Sequence, residues 1–161
     1  MRVNTGLTVS VSANTERWLS EMRAGRGFGG FLNQVAVAAQ NSHIQLFNPV
    51  ASGITVIVRL VLFASVAAQG VHVSHHNTAL TTLGATSRNL LSGGAAPVAE
   101  VRSQTNAGEL GSQFLGLNAA AATQLQVNAE WFTEVGAGEG VLISGASVNV
   151  ELLGNWLWME V

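Results

Sequence analysis

The chain has 161 residues, enough for one domain with a substantial core and too few for two comfortable ones. It is 48% hydrophobic and only 10% charged, against about a quarter charged in an ordinary soluble domain. With a net charge of −2 and scattered arginines it carries neither a nucleic-acid-binding stripe nor a polybasic membrane patch.

All seven basic residues are Arg, all nine acidic ones are Glu, and there is no Lys, Asp, Tyr or Cys. The polar surface must therefore be built mainly from Asn, Ser, Thr and Gln. Such a surface gives weak electrostatic protection against self-association, which suits a protein whose outer faces are meant to be covered. Without Cys no disulfide can form, which fits folding in a reducing cytosol.

Residues 7–12 alternate apolar and polar in the period of a half-buried strand, and they lack the continuous apolar block of a signal peptide. Asn14 or Thr15 can cap a short helix over 16–22, with Trp18, Leu19 and Met22 on one side. The Gly-rich stretch 25–30 (GRGFGG) reads as a flexible joint. Residues 1–30 are thus expected to be an N-terminal arm, either reaching a neighbouring subunit or lying on its own surface, and residues 31–161 the domain.

From Gln34 onward the pattern is strand, turn, strand. Strands are expected at 34–40 and 42–48, then a turn at Asn48-Pro49-Val50-Ala51-Ser52-Gly53, where Pro fixes φ and Gly accepts a positive φ. Residues 54–68 (ITVIVRLVLFASVAA) are too short for a membrane helix, which needs roughly 20 residues, and Arg59 interrupts them. Their β-branched content predicts a long buried strand over 54–66, paired in a hairpin with 71–76. Residues 77–97 read as a long loop, of the kind that is functional or poorly ordered. Strands resume at 98–103, 112–118 and 124–132. A turn at 136–140 precedes a type II′ hairpin in which 141–144 and 147–153 flank Gly145-Ala146, and a last strand spans 155–160 with Trp156 and Trp158 on one face. The expected fold is all-β, a β-sandwich or jelly roll with an N-terminal arm containing a short helix.

The candidate chemistry is sparse. Alternation puts His72 and His76 on one face of their strand and His75 on the other. Two imidazoles from one strand supply at most half a zinc site, and His43 would have to join them. No G-x-S-x-G elbow accompanies Ser74 or Ser144. Glu130 and Glu134 lie too far along one strand for a glycosidase pair, whose carboxyls stand about 5 to 9 Å apart. Trp131, Trp156 and Trp158 suit sugar stacking or a core, and strand aromatics favour the core. Arg59 needs a carboxylate partner or a route for its tip to water. No catalytic, cofactor-binding or metal-binding residue is assigned, and no enzyme activity or cofactor is expected.

The stretch His43-Ile44-Gln45-Leu46-Phe47-Asn48-Pro49-Val50-Ala51-Ser52-Gly53 resembles a pattern in small virion proteins of tailed bacteriophages and prophages, where an N-P-x-x-S-G turn leads into a long apolar strand. His76 to Thr82, Ala99-Glu100-Val101-Arg102 and Gly138-Glu139-Gly140 are similar too, in the same order, so the resemblance runs over roughly residues 41–160. It implies a β-sandwich or jelly-roll virion subunit, commonly a trimer, and names no catalytic residue. The leading expectation is a capsid decoration (cement) protein, assembled in the host bacterial cytoplasm, whose partners are its own copies in a homotrimer and the major capsid protein, with no nucleic acid or membrane. The alternative is a tail or head-fibre receptor- or glycan-binding module using the 77–97 loop.

Overall fold

Alternating β-branched residues dominate this chain, and strands dominate the structure. The computed structural model describes residues 16–84, 87–128 and 134–161. Among these, one short helix, α1 (16–23), precedes twelve strands: β1 (Gly27–Gln34), β2 (Asn41–Phe47), β3 (Val56–Ser65), β4 (Gln69–His75), β5 (Thr82–Leu83), β6 (Arg88–Asn89), β7 (Glu100–Asn106), β8 (Ser112–Ala119), β9 (Gln124–Asn128), β10 (Glu134–Val135), β11 (Gly140–Gly145) and β12 (Leu152–Glu160).

The strands form two antiparallel sheets, so the fold is all-β. Sheet A runs β3-β12-β1-β6, with β9 and β10 both pairing along the remaining side of β3. Sheet B runs β5-β7-β2-β11-β4-β8. One core joins them. Sheet A contributes Phe28, Val58, Val61, Phe63, Trp156 and Trp158; sheet B contributes Ile44, Leu46, Val73, Val101, Val141 and Ile143.

Successive strands seldom pair with each other, which overturns two expected hairpins. β3 lies in sheet A and β4 in sheet B; likewise β11 lies in sheet B and β12 in sheet A. The Gly145-Ala146 step therefore leads toward a crossing between sheets. Each strand needs apolar neighbours in front as well as at its sides, and crossing supplies both. The short-range turn signal carries no information about that competition.

Residues 25–30 also depart from the expectation of a flexible joint. β1 starts at Gly27 and pairs with β12 over eight residues, from Gly27 opposite Met159 to Gln34 opposite Leu152. Its glycines make room for close packing. A Cβ on Gly30 would stand 2.7 Å from Val101 Cγ2 and 3.2 Å from the Trp158 ring, and one on Gly27 would meet Met22 of α1 at 2.8 Å. Residues 27–30 thus sit in the sheet, and residues 35–40, expected to extend a strand, connect β1 to β2. The proposed helix caps, Asn14 and Thr15, lie outside the described residues, as do Glu130, Trp131 and the end of the strand expected at 124–132.

The segment 77–97 is a strap with its own anchors. Its two short strands pair with opposite sheets: β5 with β7 in sheet B, β6 with β1 in sheet A. Leu80 is buried, and Asn89 Nδ2 donates to the carbonyls of Gly25 and Ala95. Next along the chain, the buried Glu160 carboxylate accepts from the backbone N–H groups of Val98 and Ala99 and from Trp158 Nε1. The expected turn at 48–53 is present and tightly held. Buried Asn48 donates through Nδ2 to the carbonyls of Ile54 and Val135, and Gly53 has φ 69°.

A substitution at Gly30 tests this packing. Gly30→Ala has to push its new methyl into Val101 or Trp158 and should cost about 1–3 kcal/mol, the usual range for an overpacked core. Urea denaturation reads this as a lower midpoint with an unchanged slope. An unaltered midpoint would mean that β1 does not pack as described.

Candidate functional site

Two outer faces are available for function, one on each sheet, and the chain treats them differently. On sheet B the strand registers bring Gln104, His43, Ser144, His72 and Gly116 into one row across β7, β2, β11, β4 and β8. The adjacent row is Arg102, Gln45, Leu142, Ser74 and Gln113. These residues alternate with core positions and so point away from the core. His43, Gln45, Leu142, Ser74 and Ser144 are nonetheless fully buried.

The cover comes from two stretches of the same chain. Gln45 donates through Nε2 to the carbonyls of His76 and Thr78 and accepts at Oε1 from Leu80 N, at 3.0–3.1 Å. Arg102 Nη1 donates to Leu80 O at 2.8 Å, while its Nε donates to Glu100 at 2.6 Å. On the other side the Glu109 carboxylate lies 2.9 Å from His72 Nδ1, without hydrogen-bond geometry, and accepts from Gln113 Nε2. Gly111, at φ 78°, presses so close that a Cβ there would meet the His75 carbonyl at 2.5 Å.

Beneath this cover His43 Nδ1 and Ser144 Oγ are hydrogen-bonded at 2.8 Å. A Ser–His pair invites comparison with a hydrolase, but the geometry is against it. Both side chains are shut off from solvent, and His43 uses Nδ1 on the serine while Nε2 makes no hydrogen bond among the described residues. Burial pushes the His43 pKa below the usual histidine range. The Gly108 backbone opposes that shift, nearby His76 adds to it and Glu109 opposes it. Burial also lowers His76.

The histidines singled out from sequence are distributed as follows. His72 reaches outward to Glu109. β4 ends at His75, so the strand alternation that paired His72 with His76 stops one residue short. His75 is exposed and its ring lies 4.7 Å from that of Phe114, which is the extra residue of a bulge between β8 and β4. Among the described residues no three His or Glu side chains are grouped to hold a metal ion. A shallow hollow of about 390 Å³ opens at this end, lined by His75, His76, Asn77, Ser112 and Glu139 among others.

The outer face of sheet A is apolar and is not covered in the same way. β3 is bulged: Leu157 pairs with Leu60 and Trp158 with Val58, which leaves Arg59 as the extra residue. The bulge shifts the inward positions from Val56 and Val58 to Val61 and Phe63. Arg59 settles over the Trp18 ring of α1 at 5.4 Å, a cation–π contact made by a side chain that is only partly buried. Beyond α1 the face presents Leu60 and Leu157, then Leu62, Asn155 and Phe31, then Ala64 and Leu153. Phe31 is 40% exposed and the others are half-buried.

Sequence reasoning missed this face. The available signal was the run of apolar residues on both parities of β3, which marks a strand covered on both sides. Trp156 and Trp158, weighed as sugar platforms, are fully buried in the core and cannot stack on a ligand.

Neutral His43 contributes stability that is complete above the ordinary histidine pKa of about 6.5 and is lost as pH falls through its depressed native value. His76 acts in the same direction. The melting temperature should therefore hold steady above about pH 7 and fall on acidification below about 6.5. In His43→Gln and His76→Gln that acid slope should be shallower, as read by circular dichroism melts from pH 7.5 to 5. An identical slope in both variants would contradict the assignment.

Comparisons of the chain with protein-family models, with curated proteins and with solved structures give no match.

Proposed function

We propose that this chain is a structural subunit of a tailed-bacteriophage virion, a capsid decoration (cement) protein that binds and stabilises the head lattice as a trimer. The observation that carries the reading is the strand order. The orders β1-β12-β3-β9 in sheet A and β2-β11-β4-β8 in sheet B support reading the fold as an eight-stranded jelly roll, with β5, β6 and β7 as an insertion between the fourth and fifth of those strands. Jelly rolls serve in viral shells and in lectins. The motif order over residues 41–160 and the charge-poor surface favour the shell.

A cement protein works by many modest contacts made at once. A symmetric oligomer seated on a lattice engages several capsid subunits together, so its avidity exceeds that of any single contact. Rigidity favours this, because a preordered subunit loses little entropy on binding. Strand pairing of the 77–97 segment with both sheets favours such preordering. The N-terminal arm expected from the sequence would add a further contact with the shell.

A second reading is a receptor- or glycan-binding module. The hollow beside His76, Asn77, Ser112 and Glu139 is the feature in its favour.

Purified protein mixed with heads that lack their decoration should co-sediment with them and raise the temperature at which they release DNA. Removing residues 1–15 should weaken that binding about tenfold or more while the oligomer stays folded, as expected when one arm of a multivalent contact is lost. Heads that neither bind the intact protein nor gain stability would contradict the cement role. Glycan binding that is lost with Asn77→Ala would move the assignment to the second reading.

A further inference from the structure

We infer that the outer face of sheet A is the interface through which copies of this chain assemble; this rests on the proposal that the protein works as an assembled subunit, and it names the surface and the partner. Two hollows of about 440 and 220 Å³ lie side by side on that face and share Phe31 and Asn155, so together they form one dented surface. Leu62 and Leu157 line the first, and Leu153 lines the second.

The chemistry of the face selects a second copy as its occupant. Its centre is Leu, Phe and Ala, the composition of an obligate interface, which resembles a domain core cut in half. Amides are set among these side chains, Asn155 in the middle, Asn33 on β1 and Gln124 on β9, and Arg59 and Glu134, of opposite charge, lie toward the α1 end. An amide both donates and accepts, so identical surfaces can hydrogen-bond to one another. A rim of one charge would instead repel its own copies. Arg88, at the β6 edge, is the one charged residue lining either hollow. Neither an acidic nor a basic partner is selected, and an anionic lipid surface would call for more cations.

The opposite outer face is occupied by residues 76–81 and 107–111 of the same chain, held by Gln45, Arg102 and Glu109. Helix α1 covers one end of sheet A, where Trp18 meets Arg59 and Met22 approaches Gly27, and stops there. Beyond α1, Phe31 in the middle row is 40% exposed, and Leu60, Leu62, Leu153 and Leu157 are half-buried.

The test is the solution mass of the full chain by sedimentation equilibrium, with circular dichroism to establish folding. Wild type should be a homo-oligomer of defined size at micromolar concentration. Leu62→Glu and Leu157→Glu should be folded monomers, with association weakened at least about 100-fold, because each buries an unpaired carboxylate. Phe114→Glu, on the β8 edge of sheet B, should keep the wild-type mass. Should the Glu variants fail to fold, Leu157→Ala supplies the same readout through a weaker but measurable loss of association. A wild-type chain that stays monomeric at about 100 μM, or face variants that keep the wild-type mass, would overturn the inference. So would an oligomer that dissociates when residues 1–15 are removed, since that arm would then be the occupant. A wild-type oligomer that dissociates in the face variants but ignores heads would leave the interface standing and overturn only the cement role.

Discussion

Trp156 and Trp158 stand in the middle of the core on β12, and the room they take decides much around them. β12 runs between β3 and β1, so both neighbours must adapt. On β1 the adaptation is Gly30, where any side chain would strike Val101 or the Trp158 ring. On β3 it is the bulge at Arg59, which lets Val58 and Val61 both face inward across from the two indoles. The same strand is locked at its end by Glu160, whose carboxylate takes the Trp158 N–H together with the backbone N–H groups of Val98 and Ala99, just past the strap. A carboxylate buried this way is tolerable because its oxygens are hydrogen-bonded, and it ties the strap to the core.

From that core outward the two sheets diverge. Sheet B turns a polar row toward its own loops: Gln45, His43, Ser144 and Arg102 are spent on backbone carbonyls, on an amide N–H and on each other. Covering a sheet with loops requires such side chains, because loop backbone removed from water has to be hydrogen-bonded. Among the described residues the outward side chains of sheet A are mostly leucines, Phe31 and a few amides, a face with less to offer loop backbone than sheet B has. The low charge of the chain agrees with this division, since few surface positions are left to require Arg or Glu.

How much of this was legible beforehand differed by feature. Strand positions were read well where alternation or a turn marked them: β2 before Asn48-Pro49, β3 through the β-branched run, β11 after Gly138 and Gly140. Helix α1 followed from the spacing of Trp18, Leu19 and Met22. Pairing was not legible, because β3 and β4 look like a hairpin locally and belong to different sheets. The glycines of 25–30 were misread for a related reason. Glycine serves both a loose joint and a crowded strand, and only the partner across the sheet, Trp158, distinguishes them. The histidines were visible as residues. The burial of Gln45 beneath residues 76–80 depends on a contact 31 residues away, and that of His43 involves Gly108 and Glu109 farther still, beyond any local pattern.

The central claim is that the outer face of sheet A is hidden when the protein works. Because the chain contains no cysteine, one can be placed there without competition. Leu62→Cys, treated with a water-soluble maleimide, should label slowly in the native protein and rapidly in denaturant, while Val66→Cys, at an exposed position just past the end of β3, labels rapidly in both. Native labelling at 62 as fast as at 66 would show an open face and contradict the account.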